Sequence, residues 1–178
     1  MHARRRESRI QKFIFSLYSG DLWASGWKTL KKVRTKQFFY KNIVRWQEAR
    51  KGLLSSAGKP AMEVATPPEF KGHAGIWTPE DLFVASVNIC IMTTFLFYAE
   101  KKNLEFLKYE SEAEGILERV GNNFMFSTVN IRPKILVRNE DGRFKAQELI
   151  KLSEEGCLIS NSIKSSIKIF PEITVAPE

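Results

Sequence analysis

The stretch TPEDLFVASVNICIMTTFLFYAEKK, residues 78–102, decides how we interpret this chain of 178 residues. Thr78 has a hydroxyl that can cap a helix, Pro79 suits the first helical position, and Asp81 can complete a capping box. The pattern predicts a helix from Thr78 to about Lys102. Its 18 uncharged residues, 82–99, reach the minimum length of a membrane span. Because several polar side chains interrupt that segment and no Lys or Arg immediately precedes it, we favour a buried core helix.

Strands are predicted on both sides of this helix. In Leu107–Leu117 charged residues alternate with small or apolar ones, which is typical of a half-buried strand. A return strand follows the Gly121-Asn122-Asn123 turn, and its inner face is predicted to consist of Val129, Ile131, Ile135 and Val137. Pro133 in that strand indicates an edge or a bulge.

The remaining elements complete an α+β pattern. Asp141-Gly142 is predicted to end the return strand, and a second helix is predicted over Phe144–Ile163. Further strands are predicted at Phe38–Trp46, Ala61–Ala65, Ile167–Phe170 and Ile173–Val175. The order of strands, helix, hairpin, helix and strand predicts an α+β domain with an antiparallel sheet.

Charge divides the chain in two. Residues 1–41 contain 11 Lys and Arg against 2 Asp and Glu, a net charge of +9, whereas the other 137 residues contain 17 and 18, a net charge of −1. We therefore predict a basic, helical N-terminal extension over 1–37 and a neutral domain over 38–178. The extension is predicted to dock on the domain or a second subunit; the alternative is contact with an anionic membrane or nucleic acid.

Few side chains of this chain can carry chemistry. No glycine-rich phosphate loop follows a strand, and neither histidine, His2 or His73, lies in the context of a hydrolase nucleophile. Cys90 and Cys157 lack the spacing of a metal site, so no metal or other cofactor is predicted. From the residues alone, the two cysteines are either inert core residues or reactive thiols.

The segment 78–90 resembles the signature of the OsmC/Ohr family of organic hydroperoxide reductases. Glu80 and Cys90 stand at the family's spacing of ten, and the segment around Cys157, EEGCLIS, is similar to the family's second cysteine region. Upstream, Arg50 precedes a Ser-Ser-Ala-Gly turn, much as an arginine precedes the first turn in the family. The usual Gly-Gly before that arginine is absent here, so Arg45 is the second choice for its role.

The resemblance implies a peroxidase. Cys90 is then the residue oxidised by an organic hydroperoxide, and Cys157 resolves the sulfenic acid to a disulfide. Cys90 lies about 15 Å from the start of its helix, so the helix dipole cannot stabilise its thiolate. A nearby cation is required to do so. Arg50 is predicted to be that cation, with Glu80 orienting it.

The same resemblance implies an intertwined homodimer and a dithiol reductant of the dihydrolipoyl type. Glu80 and Cys90 are too far apart on one helix for a single arginine to contact both. Either Glu80 folds back towards Cys90, or the glutamate beside Cys90 comes from the second subunit. We expect a cytoplasmic protein, since the N-terminus lacks the pattern of a secretory signal. The alternative function is that of an OsmC-like binding or stress protein without peroxidase activity.

Overall fold

The computed structural model describes residues 36–177. The chain divides into two units, residues 1–39 and 40–178. The helices predicted in the extension 1–37 lie outside the described residues, and the boundary between residues 37 and 38 stays a prediction. The elements below all belong to the second unit.

A small antiparallel sheet of three strands opens this unit. Its strands are β1 (Ile43–Glu48), β2 (Lys51–Ser55) and β3 (Met62–Ala65), paired in that order. Ala49, with a φ of 42°, forms the tight turn between the first two strands. Strand β1 begins five residues later than we predicted, and β2 was not predicted, because the segment between the turns is too short to show alternation.

The long helix α1 (Pro79–Lys101) begins where its capping sequence predicts. Thr78 Oγ1 accepts the backbone N–H of Asp81 at 3.1 Å, and the Thr78 backbone N–H donates to the Asp81 carboxylate at 3.0 Å. By length and composition α1 could span a membrane, and 22% of its most apolar 18-residue window is buried. Val87, Ile91, Phe95 and Ala99 pack into the domain core, as predicted, while other apolar residues of the helix are uncovered.

A long hairpin, β4 (Phe106–Val120) and β5 (Asn123–Val137), packs against α1. Its turn is at Gly121, where the φ of 63° favours glycine. From Tyr109 to Leu117 the exposed and half-buried residues of β4 alternate, and the four residues predicted for the inner face of β5 are all buried. Both predictions are confirmed.

The antiparallel prediction is wrong for the last two strands. Strands β6 (Ser166–Ile169) and β7 (Glu172–Val175) both run parallel to β5, so the main sheet is mixed. Strand β6 pairs with residues 128–131 of β5 and β7 with residues 134–137. Pro133 lies between these two stretches, opposite Ser111 of β4 and without a register shift, so the predicted bulge is not found and the proline occupies a position that neither β6 nor β7 pairs.

The second helix, α2 (Glu140–Gly156), differs from its prediction at both ends. Asp141-Gly142 does not end the strand but lies in the first turn of the helix, because Asn139 caps it by accepting the Gly142 N–H at 2.8 Å. The helix stops at Gly156 rather than at Ile163. Cys157 is therefore the residue that follows α2, in extended backbone, and not a helical residue.

The core consists of two neighbouring clusters along α1. One surrounds Phe95 and includes Ile135 of β5 and Leu149 of α2. The other comprises Val87, Ile91, Val129, Ile131 and Cys157. These contacts place the residue after α2 against the middle of α1.

Candidate active site

Cys90 and Cys157 are brought together although 67 positions separate them in the chain. Cys90 is half-buried and Cys157 is fully buried, and both thiols are free. Cys90 packs on the cluster that contains Cys157, and it lies near enough to the Cys157 thiol to raise its pKa. No layer of solvent separates the two side chains, so the two sulfur atoms can form a bond with each other.

The close approach of α2 to α1 depends on Gly156. A Cβ atom at this position would lie 3.1 Å from the Tyr98 hydroxyl and 3.4 Å from the Thr94 methyl group. Any side chain here would meet α1, which carries Cys90 one turn before Thr94. Gly156 thus determines how near Cys157 comes to Cys90.

The Cys157 sulfur has a second polar neighbour. The backbone N–H of Ser160 donates to Cys157 Sγ at 3.4 Å. Burial raises the pKa of the Cys157 thiol, the contact with Cys90 raises it further, and the Ser160 hydroxyl and N–H oppose that rise. With Cys90 beside it, Cys157 is held as a neutral thiol.

Glu80 lies in the first turn of α1, ten positions and about 15 Å along the helix from Cys90. Its Oε2 atom is buried and has no hydrogen-bond partner within residues 36–177. The side chain lines a cavity of about 920 Å³ between the loop 67–77, the first half of α1 and the hairpin. Buried carboxylate oxygens are normally paired, so Glu80 is a candidate to receive a cation from outside the described chain.

Arg50 is exposed in the turn between β1 and β2. Its guanidinium donates to the carbonyl oxygen of Phe70, in the loop that borders the cavity, and its own carbonyl accepts the Thr66 N–H at 3.2 Å. Arg45 is exposed on β1. Within the described part of the chain, neither arginine pairs with Glu80 or contacts a cysteine. One copy of the chain therefore brings the two thiols together, but not the predicted cation and carboxylate.

Three phenylalanines of α1 are close to Cys90 in the sequence, and the structure separates them. Phe83 packs on the cluster that contains Cys157 and stacks on Phe126 at 4.7 Å between ring centroids. Phe95 is buried in the other cluster, and Phe97 is 56% exposed. Of these three phenylalanines, only Phe83 packs on the cluster that contains the thiol pair.

Two residues at this site were not assigned a role from the sequence, Gly156 and Ser160. The Cys-x-x-Ser spacing of residues 157–160 was a signal for the second, because a side chain capping a turn accepts the N–H three residues later. Among residues 36–177, no three His, Cys, Asp or Glu side chains come together as a metal site would require.

The fold is therefore an α+β domain in which Cys90 of α1 packs near Cys157, the residue that follows α2. Residues 72–172, more than half of the chain, match the family model described as OsmC-like protein, and the chain belongs to that family. This confirms the resemblance seen in the sequence. No curated protein matches the chain.

Three solved structures illustrate the similarity of fold. An OsmC-like protein of unknown function from Vibrio cholerae has a TM-score of 0.70 and 20% identity, over 76% of this chain and 99% of that one. An organic hydroperoxide resistance protein from Elizabethkingia anophelis has a TM-score of 0.60 and 20% identity, over 80% and 100%. Another from Legionella pneumophila has a TM-score of 0.56 and 20% identity, over 79% and 100%.

Proposed function

We propose that this protein is a thiol-dependent peroxidase that reduces organic hydroperoxides to alcohols. The observation that supports it best is the contact between a half-buried thiol, Cys90, and a fully buried one, Cys157. Two relatives in fold are named organic hydroperoxide resistance proteins, which agrees with this substrate class.

The roles of the two cysteines follow from their surroundings. A peroxide from solvent can reach Cys90, whereas Cys157 is fully buried. Burial, together with the neighbouring Cys90, raises the pKa of the Cys157 thiol, so Cys157 stays protonated at neutral pH and is a poor nucleophile for peroxide. Cys90 is therefore the nucleophile and Cys157 the resolving residue.

The reaction then proceeds in two steps. The Cys90 thiolate attacks the distal oxygen of the hydroperoxide, the O–O bond breaks, and the alkoxide takes a proton to leave as an alcohol. The Cys157 sulfur, losing its proton, attacks the Cys90 sulfenic acid and expels the hydroxyl group as water. The resulting disulfide is reduced by two electrons from a dithiol, for which a dihydrolipoyl group is our candidate.

The cation is proposed to come from the meeting of two copies of the chain. Helix α1 has an uncovered apolar face that includes Ile89, Leu96 and Phe97, and such a face on a core helix indicates a partner. Within residues 36–177 Glu80 Oε2 is buried without a hydrogen-bond partner, and Arg50 lies across the loop beside its cavity. In a homodimer, Glu80 and Arg50 of one protomer would complete the site around Cys90 of the other.

Peroxide-dependent loss of thiols tests the activity. The reduced protein is titrated for thiols before and after cumene hydroperoxide, and the products are resolved by mass spectrometry. We expect loss of both thiols as one intramolecular disulfide. The Cys90→Ser variant should consume no peroxide, and Cys157→Ser should consume one equivalent and stop. Retention of both thiols would instead indicate an OsmC-like binding or stress protein without peroxidase activity.

Mixed dimers test where Glu80 acts. Cys90→Ser and Glu80→Gln chains with different tags are refolded together, and the heterodimer is isolated. If Glu80 serves the other protomer's Cys90, one of the two sites is intact and about half of the activity of the unmodified dimer returns. If Glu80 serves its own chain, neither site is intact and no activity returns.

A further inference from the structure

The Cys157 sulfur is enclosed on every side that a reductant would use. Cys157 is fully buried in a cluster with Val87, Ile91, Val129 and Ile131, whereas Cys90 is half-buried. Thiol–disulfide exchange needs the incoming sulfur, the attacked sulfur and the leaving sulfur nearly in line, and it depends on access to the attacked atom. Attack on Cys157 would have to come through the apolar core. Attack on Cys90 comes from its exposed side.

The Cys157 sulfur also has the donors that a leaving thiolate needs. The Ser160 N–H already donates to Cys157 Sγ at 3.4 Å. The Ser160 Oγ is buried and has no competing hydrogen-bond partner within the described chain, and its hydroxyl lies close enough to the Cys157 sulfur to oppose the rise of its pKa. Hydrogen bonds to a charged acceptor are stronger than those to a neutral one, so both donors favour the thiolate.

We propose that Ser160 stabilises Cys157 as the leaving thiolate, so that the disulfide opens towards Cys157 and the incoming dithiol bonds to Cys90. This inference rests on the proposed function, since it concerns the disulfide formed in that reaction. One thiolate of the dithiol attacks Cys90 Sγ, the Cys90–Cys157 bond breaks, and Cys157 keeps the electron pair. The second thiolate then attacks the dithiol's own bonded sulfur and expels Cys90 as a thiolate. The dithiol loses two electrons and becomes a cyclic disulfide, and the protein gains them.

The influence of Cys90 on Cys157 changes at this step. In the reduced protein the contact with Cys90 raises the pKa of Cys157, along with burial. In the mixed disulfide Cys90 is bonded to the reductant and carries no negative charge, so that repulsion is gone. The two Ser160 donors stay beside the Cys157 sulfur and oppose the remaining effect of burial.

A monothiol shows which cysteine of the disulfide is attacked, because it stays bonded to the peptide that contains that cysteine. The disulfide is formed with diamide, which does not depend on peroxidase activity, and is treated briefly with N-acetylcysteine. The reaction is quenched with acid, labelled with N-ethylmaleimide and digested with trypsin, which places Cys90 in peptide 72–101 and Cys157 in peptide 152–164. We expect N-acetylcysteine on peptide 72–101 and N-ethylmaleimide on peptide 152–164. The reverse pattern, or an equal mixture, would overturn the proposal.

The role of Ser160 is tested with variants of the same turn. Ser160→Ala should slow reduction of the preformed disulfide by dihydrolipoic acid about threefold to tenfold. This is the effect expected when the negative charge developing on the Cys157 sulfur loses one of its hydrogen bonds. Ser162→Ala is the matched control, because the Ser162 hydroxyl donates to the Leu158 carbonyl at 2.7 Å and not to a sulfur. Ser160→Thr keeps a hydroxyl and should keep the unmodified rate.

A second measurement separates this role from a merely structural one. In the Cys90→Ser background, thiolate absorbance at 240 nm reports the pKa of Cys157 alone. Ser160→Ala should raise that pKa, and Ser162→Ala should leave it unchanged. Equal pKa values and equal reduction rates in both variants would overturn the assignment to Ser160. Loss of peroxide reduction with an unchanged direction of opening would count against the proposed function and not against this inference.

Discussion

Gly156 at the end of α2 packs directly against the Tyr98 hydroxyl on α1. A Cβ atom at position 156 would lie 3.1 Å from that hydroxyl oxygen, closer than most contacts of this type. The residue that follows is Cys157, and Cys90 lies two turns before Tyr98 on the facing helix. The contact between helices therefore sets the separation of the two sulfur atoms.

Replacing Gly156 with leucine should separate the thiols. The larger side chain forces the end of α2 away from α1, and we expect peroxide-dependent disulfide formation to slow by at least about tenfold, since small misplacements of reacting groups are costly. The free energy of unfolding should fall by about 1–3 kcal/mol, as for other overpacked cores. Stopped-flow peroxide consumption followed by acid quench and denaturant unfolding measure the two effects.

Glu155→Leu is the control for that variant, because it introduces the same side chain at an exposed neighbouring position of the same helix. It should form the disulfide at the unmodified rate. Equal rates for Gly156→Leu and the unmodified protein would show that the two sulfurs find each other without this contact.

A charge on the uncovered face of α1 should dissociate the proposed dimer. Ile89 is 55% exposed in one copy and lies on that face, so Ile89→Arg would bury an unpaired charge between subunits. We expect the dissociation constant to rise by at least about a hundredfold. Sedimentation velocity at micromolar concentration measures it. Phe144→Arg on α2, where the native side chain is 63% exposed, is the control and should remain dimeric. A dimer in the Ile89 variant as tight as the unmodified one would place the interface elsewhere.

The two candidate arginines differ in what their replacement should do. Arg50→Lys keeps the charge but loses the planar fork that can hold a carboxylate and a thiolate together, and we expect kcat/KM for cumene hydroperoxide to fall about a hundredfold or more. Arg45→Lys, on the exposed strand β1, should change it little. If the larger loss accompanies Arg45, then Arg45 and not Arg50 is the arginine that activates Cys90.

Local signals predicted the elements whose cause is local. The capping residues Thr78 and Asp81 gave the start of α1 to the residue, and the alternation in β4 gave its inner face. The prediction that Asp141-Gly142 ends the strand was wrong, because these residues suit both a loop and the first turn of a helix. The hydrogen bond from the Gly142 N–H to Asn139 caps the helix and so favours the second. Such ambiguities are resolved by a hydrogen bond that composition does not reveal.

Relationships between distant segments could not be predicted from the residues alone. The sequence indicated two strands after residue 165, but their parallel pairing to one edge of β5 depends on the path of the chain. The contact of Cys90 with Cys157 depends on two helices crossing at Gly156. Family resemblance supplied the expectation that the cysteines act together, and the proposed cation beside them belongs to a second copy in the dimer that we propose.

Alkaline pH should reveal the cost of burying Tyr109. Burial against the Phe95 ring, 5.3 Å away between centroids, raises the pKa of this phenol to about 12. In the unfolded chain a tyrosine has a pKa of about 10. Because the folded value is the higher one, the contribution of the neutral phenol to stability is complete below pH 10 and is lost as the pH rises towards 12. Allowing for partial exposure to solvent, we expect this residue to account for a loss of about 1–2 kcal/mol of unfolding free energy.

The Tyr109→Phe variant isolates that contribution. The Tyr109 hydroxyl is buried and has no hydrogen-bond partner among residues 36–177, so its removal should leave the free energy of unfolding at pH 7 unchanged or raise it by up to about 1 kcal/mol. Between pH 9 and pH 12 the variant should lose less stability than the unmodified protein in urea titrations followed by circular dichroism. Tyr40→Phe, at a position that is 91% exposed, should reproduce the unmodified pH dependence. If Tyr109→Phe also reproduces it, the phenol is solvated in the folded protein and its pKa is not raised.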